Sequence, residues 1–202
     1  SLMIKIYGSP RTSPGRCFWL LEELGLAYEA VPLDMKNKEQ KSPWYLALNP
    51  NGKVPTLVDG DFVIWESCAI NHYLAEKYRP EWLGRTIEER AQVEEWTFWA
   101  MLHVQRHVEA VMYQVWFQRG DAATAEKGKS DVVPFLTVLE AHLALKEFMM
   151  GDAFTVADVN VGSVVNLGLA VGIDFLPYPN IVRWMTMLKA RPAMQRLLAG
   201  MG

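Results

Sequence analysis

The chain has few cysteines and lacks both a basic run and a long apolar stretch. Its two cysteines, Cys17 and Cys68, are too few for a disulfide framework in 202 residues, and such sparse use is typical of a reducing compartment. The longest apolar stretch, residues 161–171, is interrupted by two glycines and an asparagine and is too short to span a bilayer. We therefore predict a cytoplasmic protein with no membrane partner.

The charge balance also argues against two classes of partner. The formal net charge is −3 at pH 7, so we expect no nucleic-acid partner and no anionic membrane surface. Half of the residues are apolar, which is enough for a full core. No signal-peptide pattern opens the chain, and we interpret Ser1 and Leu2, ahead of Met3, as a remnant of expression.

The first half of the chain alternates strand and helix patterns. Strand patterns occupy residues 3–7, 28–33, 56–58 and 62–64, and helical patterns occupy residues 17–24 and 67–78. The last two strands are separated by Asp59-Gly60, a typical hairpin turn. This order predicts a small mixed sheet with helices packed on it.

The second half reads as helical throughout. Helical patterns occupy residues 86–118, 132–149, 156–171, 181–190 and 192–198. Thr155-x-x-Asp158 resembles a capping box at the start of one of these helices. We predict an α/β domain over residues 3–78, a Pro- and Gly-containing linker over 79–85, and an all-helical domain over 86–202.

The segment from Asn49 to Leu57 and the following Glu66-Ser67 indicate a site for a small peptide. A Val54-Pro55 step at the start of a strand is a place where a cis bond is plausible. There Val54 can offer its N–H and C=O to an extended ligand as if to an added strand. Glu66-Ser67 opens a helix, whose free N–H groups suit a carboxylate.

With these residues in hand, the chain resembles the cytosolic glutathione transferases over nearly its full length. Each motif alone is common, but their order and spacing, together with the Phe154-Thr155-x-Ala157-Asp158 helix start, are specific. The resemblance implies a thioredoxin-like N-terminal domain joined to an all-α C-terminal domain. It also implies a serine-type member (theta, delta, phi or zeta-like) of bacterial style, with glutathione as co-substrate and no metal.

In the serine-type classes, a hydroxyl in the loop after the first strand hydrogen-bonds the glutathione sulfur. The delta pattern of that loop lies over residues 12–16, so the resemblance implies Thr12 as the catalytic residue and keeps Ser13 as an alternative donor. Both hydroxyls precede a helix and could serve only as caps. Neither position holds a cysteine, which counts against classes that exchange disulfides.

The resemblance also implies the residues that bind glutathione. Gln40, Lys41 and Lys53 correspond to the glycyl carboxylate site, although the two lysines could be plain surface charges. Val54, followed by Pro55, corresponds to the backbone clamp on the cysteinyl residue. Glu66 and Ser67 correspond to the γ-glutamyl end, where Ser67 could also be only a helix cap.

A stripe on the long helix from residue 86 is a candidate wall for a hydrophobic substrate. Its members recur three and four residues apart: Trp99, His103, Arg106, Ala110 and Tyr113. The alternative is a core or subunit-interface stripe. His103 and His107 could in principle share a metal, but a third ligand is not evident, and we predict no metal site.

We predict a glutathione transferase that conjugates glutathione to a hydrophobic electrophile, with a role in detoxification. The same site could serve glutathione-dependent peroxide reduction, dehalogenation or isomerisation. From another class, the chain could be a non-catalytic binding module of the same fold. The resemblance also implies a homodimer.

Overall fold

A computed structural model describes residues 3–201. Our interpretation of Ser1 and Leu2 lies outside these residues. Contacts separate the chain into two units: one runs up to Pro80 and also takes in the chain from Arg191 onward, and the other covers Glu81–Ala190. The last helix thus groups with the first unit, whereas the sequence assigned it to the second domain. The domain bounds 3–78, 79–85 and 86–202 stay a prediction.

The first unit contains a four-stranded sheet in the order β2-β1-β3-β4. The strands are β1 (Ile4–Tyr7), β2 (Tyr28–Val31), β3 (Thr56–Asp59) and β4 (Phe62–Trp65). β1 and β2 are parallel, because a helix connects them, and the other neighbours are antiparallel. The predicted mixed sheet is confirmed. The hairpin turn lies one residue later than predicted: Asp59 pairs with Phe62, so the two-residue loop is Gly60-Asp61.

The structure describes the following α-helices: α1 (Gly15–Glu23), α2 (Pro43–Leu48), α3 (Ser67–Tyr78), α4 (Ile87–Trp99), α5 (Gln105–Phe117), α6 (Ala122–Asp131), α7 (Val133–Leu143), α8 (Val156–Ala170), α9 (Pro179–Lys189) and α10 (Pro192–Met201). Short 3-10 helices cover Glu39–Lys41 and Pro80–Leu83, and a π-helix covers Ala100–Val104. Among residues 3–201, no helix is both long enough and apolar enough to cross a bilayer.

Helix α1 is buried on all sides over most of its length. Residues 16–21 are all buried, and α1 contacts both α3 and α10. An ion pair fastens α10 to the end of α1: Arg191 Nε lies 2.7 Å from Glu23 Oε2. The loop before α1, which carries the predicted catalytic hydroxyls, therefore enters a helix that packing holds firmly in place.

The long helix predicted from Thr86 to Gln118 is interrupted. Thr86 caps α4 through its side chain, and the π-helix Ala100–Val104 separates α4 from α5. A π-turn holds more residues than an α-turn, so the angular spacing of side chains changes at this point. The substrate stripe drawn at α-helical spacing stays a prediction. Helix α6, in a stretch of small and polar residues, was not predicted either.

The predicted capping box at the start of α8 is confirmed. The Thr155 side chain accepts a hydrogen bond from a backbone N–H of the first turn, and Asp158 Oδ2 accepts one from the Thr155 N–H at 2.9 Å. Asp158 Oδ1 also accepts from the Met149 N–H at 2.8 Å and from Trp184 Nε1 at 2.9 Å. One buried carboxylate thus connects the start of α8, the preceding loop and α9.

Candidate functional site

The turn before β3 is built on a buried polar network. The Tyr45 hydroxyl donates to the Lys53 carbonyl at 2.6 Å and lies 2.7 Å from Thr56 Oγ1. Asn49 Nδ2 donates to the same carbonyl at 2.9 Å. Tyr45, Asn49 and Thr56 are all buried, and burial raises the pKa of Tyr45, which keeps its hydroxyl protonated. The network fixes the backbone that leads into Val54.

The Val54-Pro55 peptide bond is cis, as the sequence indicated. Within residues 3–201, neither the N–H nor the C=O of Val54 takes part in a hydrogen bond, and the residue is half-buried. Backbone groups in such a position need a partner from water or from a ligand. Val54 therefore presents the donor and the acceptor that an extended peptide would pair with.

Gly8, the residue after β1, brings the loop of residues 9–14 against Val54. Its φ is +127°, a value that favours glycine. A Cβ at this position would lie 2.8 Å from Pro14 Cγ and 3.1 Å from Val54 Cβ. Gly8 therefore allows Pro14, the residue that follows the two predicted hydroxyls in the chain, to pack close to Val54.

Thr12 and Ser13 lie in this loop and do not cap α1. The N-cap residue is Pro14, and it gives no side-chain cap hydrogen bond. The Thr12 carbonyl accepts from the Gly15 N–H at 2.8 Å, while Thr12 is exposed and Ser13 half-buried. The two hydroxyls are therefore not used as helix caps in this structure.

Glu66 and Ser67 open α3 in an unusual conformation. Glu66 has φ 73° and ψ 112° and is the N-cap residue, without a side-chain cap hydrogen bond. A non-glycine residue in this region costs on the order of 1–3 kcal/mol, and such strain is often stored at ligand sites. The first N–H groups of α3 are left without side-chain caps, so they can meet an anion.

Arg16 is a neighbour of this helix start that sequence reasoning did not place in the binding site. It is 5% exposed, and its Nη1 donates to Ser67 Oγ at 2.8 Å. Its carbonyl accepts from Asn71 Nδ2 at 3.3 Å. The separation of 51 residues between Arg16 and Ser67 explains why no local pattern could reveal this contact.

Both cysteines lie beside Ser67 as well. Cys17 Sγ donates to the Ser67 carbonyl at 3.3 Å. Burial raises the pKa of the Cys17 thiol and of the Cys68 thiol, and the nearby Arg16 charge only partly opposes this. Both residues therefore stay thiols at neutral pH, and a thiol is a much weaker nucleophile than a thiolate.

The predicted glycyl-site residues gather around the same turn. Lys41 Nζ donates to the Asn51 carbonyl at 3.0 Å. A Cβ on Gly52 would lie 2.7 Å from Lys41 Nζ and 2.9 Å from the Gln40 carbonyl oxygen. Lys53 is exposed. Lys41 is thus exposed, with its ammonium group hydrogen-bonded to the turn.

The residues of the predicted substrate stripe differ in their surroundings. Trp99 and His103 both lie near the Phe135 ring of α7, with ring-centroid distances of 6.3 and 5.6 Å. His107 stacks on the same ring at 5.9 Å, and burial lowers its pKa. Arg106 and Tyr113 are exposed and have no ring contact with Phe135. Among residues 3–201, no group of three or more His, Cys, Asp or Glu residues is placed to hold a metal ion.

Two family models match this chain. The N-terminal domain of glutathione S-transferases matches residues 3–76, and the C-terminal domain of the same family matches residues 98–192. The chain belongs to the glutathione S-transferase family. The resemblance noted in the sequence and the expected fold are both confirmed.

Individual relatives agree with this assignment. Glutathione S-transferase F9 of Arabidopsis thaliana is 38% identical over 78% of this chain and 77% of its own. Glutathione S-transferase 3 of Zea mays is 36% identical over 97% of this chain and 93% of its own. A solved structure of glutathione S-transferase-I bound with the ligand lactoylglutathione is 32% identical, covers 98% of this chain and 99% of its own, and superposes with a TM-score of 0.90. The chain is a transferase that uses glutathione as its co-substrate.

Replacing Tyr45 with phenylalanine should lower the stability of this transferase and weaken its glutathione binding. We expect a loss of about 1–2 kcal/mol in the free energy of unfolding, because a buried hydroxyl and its partners lose their hydrogen bonds. We also expect a severalfold weaker glutathione affinity, because the Lys53-Val54 backbone is less firmly held. Denaturant unfolding and calorimetry check the two effects.

Tyr28→Phe is the matched control, because the Tyr28 hydroxyl donates to Glu22 Oε1 at 2.9 Å in the same unit. It should lower stability without changing glutathione affinity. Equal effects of the two variants on affinity would contradict the role given to the Tyr45 network.

Proposed function

We propose that this protein is a serine-type transferase that holds glutathione between Val54 and the start of α3 and conjugates it to a hydrophobic electrophile. The observation that carries the proposal is the free N–H and C=O of Val54 beside a helix start with a strained residue and a buried serine. These features support two separate anchors for a small peptide. The bacterial-style assignment and the cytoplasmic location are also our proposals.

The γ-glutamyl end of glutathione would lie at α3. Its carboxylate would accept hydrogen bonds from the first N–H groups of the helix and from the Ser67 hydroxyl. The Glu66 carboxylate is exposed and would pair with the γ-glutamyl amino group. The cysteinyl residue of glutathione would pair with the Val54 backbone as an added strand. Pro55 would fix the direction of the protein backbone after Val54.

The glycyl carboxylate would lie at the turn that Gln40, Lys41 and Lys53 surround. Lys53 is exposed and carries a free positive charge toward solvent. Lys41 would contribute its charge from a position already held by the Asn51 carbonyl. Neutral hydrogen bonding from Gln40 completes this end of the site.

Thr12, with Ser13 as the alternative, would donate a hydrogen bond to the glutathione sulfur. An ordinary thiol has a pKa of about 8.5, so a donor that favours the thiolate by one to two pKa units contributes roughly 1.4–3 kcal/mol. The thiolate then attacks the electrophilic carbon. A sulfur–carbon bond forms, and the electron pair of the broken bond leaves with the departing group or moves within the acceptor. Both cysteines of the chain remain protonated, so they do not compete as nucleophiles.

The second substrate would contact the stripe that begins at Trp99 and His103. Their rings, with Phe135, form an aromatic surface on the second unit, which suits a hydrophobic electrophile. Arg106 and Tyr113 would lie at its margin.

The function is tested with a panel of model electrophiles and hydroperoxides, each assayed with glutathione. Turnover of an aryl or alkyl electrophile above the uncatalysed rate supports conjugation. Activity confined to hydroperoxides would indicate the peroxidase alternative. Glutathione binding without any turnover would favour the non-catalytic module and contradict our proposal.

Ser67→Ala should weaken glutathione binding while leaving the reactivity of bound glutathione largely intact. It removes a charge-assisted hydrogen bond worth roughly 1.5–3 kcal/mol, far from the sulfur. Calorimetry on the folded variant measures the affinity, and the rate at saturating glutathione measures the chemistry. An unchanged affinity would show that the γ-glutamyl end does not bind at α3.

We also propose a homodimer, based on a row of exposed apolar side chains on the second unit. Ile87, Phe98 and Leu102 are 82%, 60% and 62% exposed, all on α4 and the π-helix. Exposed apolar surface of this kind is typical of a subunit interface. Light scattering should give about twice the chain mass. A monomer at micromolar concentration would refute this, and Phe98→Glu should shift the dimer toward that monomer.

A further inference from the structure

A buried positive charge, the guanidinium of Arg16, contacts the first residue of α3. Arg16 belongs to the first turn of α1 and is almost fully buried. Its guanidinium donates to Ser67 Oγ at 2.8 Å, and its carbonyl accepts from the Asn71 side chain at 3.3 Å. The start of α1 and the start of α3 therefore meet at one guanidinium, and both helix dipoles are positive at these ends.

The direction of the Arg16–Ser67 hydrogen bond fixes what the serine can do. A guanidinium can only donate, so Ser67 Oγ must be the acceptor. The single proton of the Ser67 hydroxyl therefore does not point at Arg16, and the hydroxyl can donate it to another acceptor. Because the hydroxyl accepts a hydrogen bond from a cation, its O–H bond is polarised and the hydrogen bond that it donates is stronger.

The Cys68 thiol lies close to the same two groups. Burial raises the pKa of Cys68, and the Arg16 guanidinium and the Ser67 hydroxyl act in the opposite direction, while the Glu66 charge adds to the increase. Any anion that reaches the Ser67 hydroxyl would feel the same two groups. A ligand carboxylate, unlike the thiol, arrives already charged and gains from both.

We propose that Arg16 is a positioning residue for glutathione: it fixes the Ser67 hydroxyl as a donor toward the γ-glutamyl carboxylate and adds a fixed positive charge behind it. This inference rests on the proposed function. Arg16 acts through Ser67 and does not itself contact the ligand. Its effect is therefore specific for a negatively charged group at that end of the peptide.

The test compares two probes by calorimetry: glutathione, and an analogue whose γ-glutamyl α-carboxylate is converted to an amide. In Arg16→Gln, the affinity for glutathione should fall about tenfold, whereas the affinity for the amide should change less than twofold. Arg16→Lys, which keeps the charge, should recover a large part of the loss. Arg196→Gln, at an exposed ion pair with Glu22 in the same unit, should change neither affinity.

Removal of a buried guanidinium can also loosen the fold, and this would weaken both probes equally. Equal losses for glutathione and the amide would therefore overturn the proposal, as would an unchanged preference for the carboxylate. If circular dichroism shows that Arg16→Gln does not fold, the same preference is measured with Arg16→Met, whose flexible apolar stem leaves no new polar group to satisfy.

Ser67→Ala separates this inference from the function on which it rests. If Ser67→Ala loses the carboxylate preference but the Arg16 variants keep it, only the role of Arg16 is wrong. If Ser67→Ala keeps the preference too, the γ-glutamyl end does not bind at α3, and both are wrong.

Discussion

Asp158→Ala should lower the free energy of unfolding by about 3–5 kcal/mol. Asp158 is fully buried, and its carboxylate accepts hydrogen bonds from the Thr155 N–H, the Met149 N–H and Trp184 Nε1. Each buried donor that loses its acceptor costs roughly 1–3 kcal/mol. The alanine variant leaves several such donors and also removes an acid from the first turn of α8.

Denaturant unfolding of the wild type and of the Asp158→Ala variant measures this loss of unfolding free energy. Asp121→Ala is the matched control. Asp121 caps α6 through a hydrogen bond from the Thr124 N–H at 2.6 Å, but it is exposed. A cap of this kind contributes about 1 kcal/mol. If the two variants lose the same stability, the burial of the Asp158 network contributes nothing beyond an ordinary cap, and the prediction is wrong.

The elements that the sequence predicted well depend on local signals. The helix from Ser67 to Tyr78, the hairpin and the capping box at Thr155 each follow from residues a few positions apart, whose propensities and capping groups act within one turn. The cis Val54-Pro55 bond also follows from a single dipeptide in its turn. In these features, the residues that contact one another are also close together in the sequence.

The features that the sequence missed depend on contacts between distant residues or on packing. The hydrogen bond from Arg16 to Ser67 joins two helix starts that are 51 positions apart. The π-helix at Ala100–Val104 carries no distinctive sequence pattern, so a continuous α-helix was predicted across it. Helix α6 was overlooked because its residues are small and polar, so it lacks the apolar periodicity that marks a helix.

The loop that carries Thr12 and Ser13 was only partly predicted from the sequence. Its sequence offers two adjacent hydroxyls, and the structure removes only the alternative in which they serve as helix caps, because α1 has no side-chain cap. Thr12 is the more exposed of the two, and its β-methyl restricts the direction in which the hydroxyl can point. Chemistry on the bound thiol is what distinguishes them.

Thr12→Ala should lower turnover at pH 7 by about 10- to 100-fold and leave glutathione affinity nearly unchanged. A hydroxyl aimed at sulfur stabilises the thiolate and not the thiol, so its loss raises the pKa of the bound thiol by about one to two units. The peptide contacts at Val54 and at the start of α3 persist, so binding is retained. Ser13→Ala should have this effect only if the loop presents Ser13 to the sulfur instead.

The thiolate absorbance of bound glutathione, titrated with pH, gives that pKa in the wild type and in each variant. Ser9→Ala is the control, because Ser9 is an exposed hydroxyl in the same loop whose Oγ accepts from the Arg11 N–H at 3.4 Å. It should leave the titration where it is in the wild type. If neither Thr12→Ala nor Ser13→Ala moves the pKa, a backbone N–H or the Arg16 charge must stabilise the sulfur, and the assignment of a hydroxyl donor is wrong. If one of them does, the shift in pKa should account for its loss of turnover, because the reactive thiolate fraction below the pKa falls tenfold for each unit.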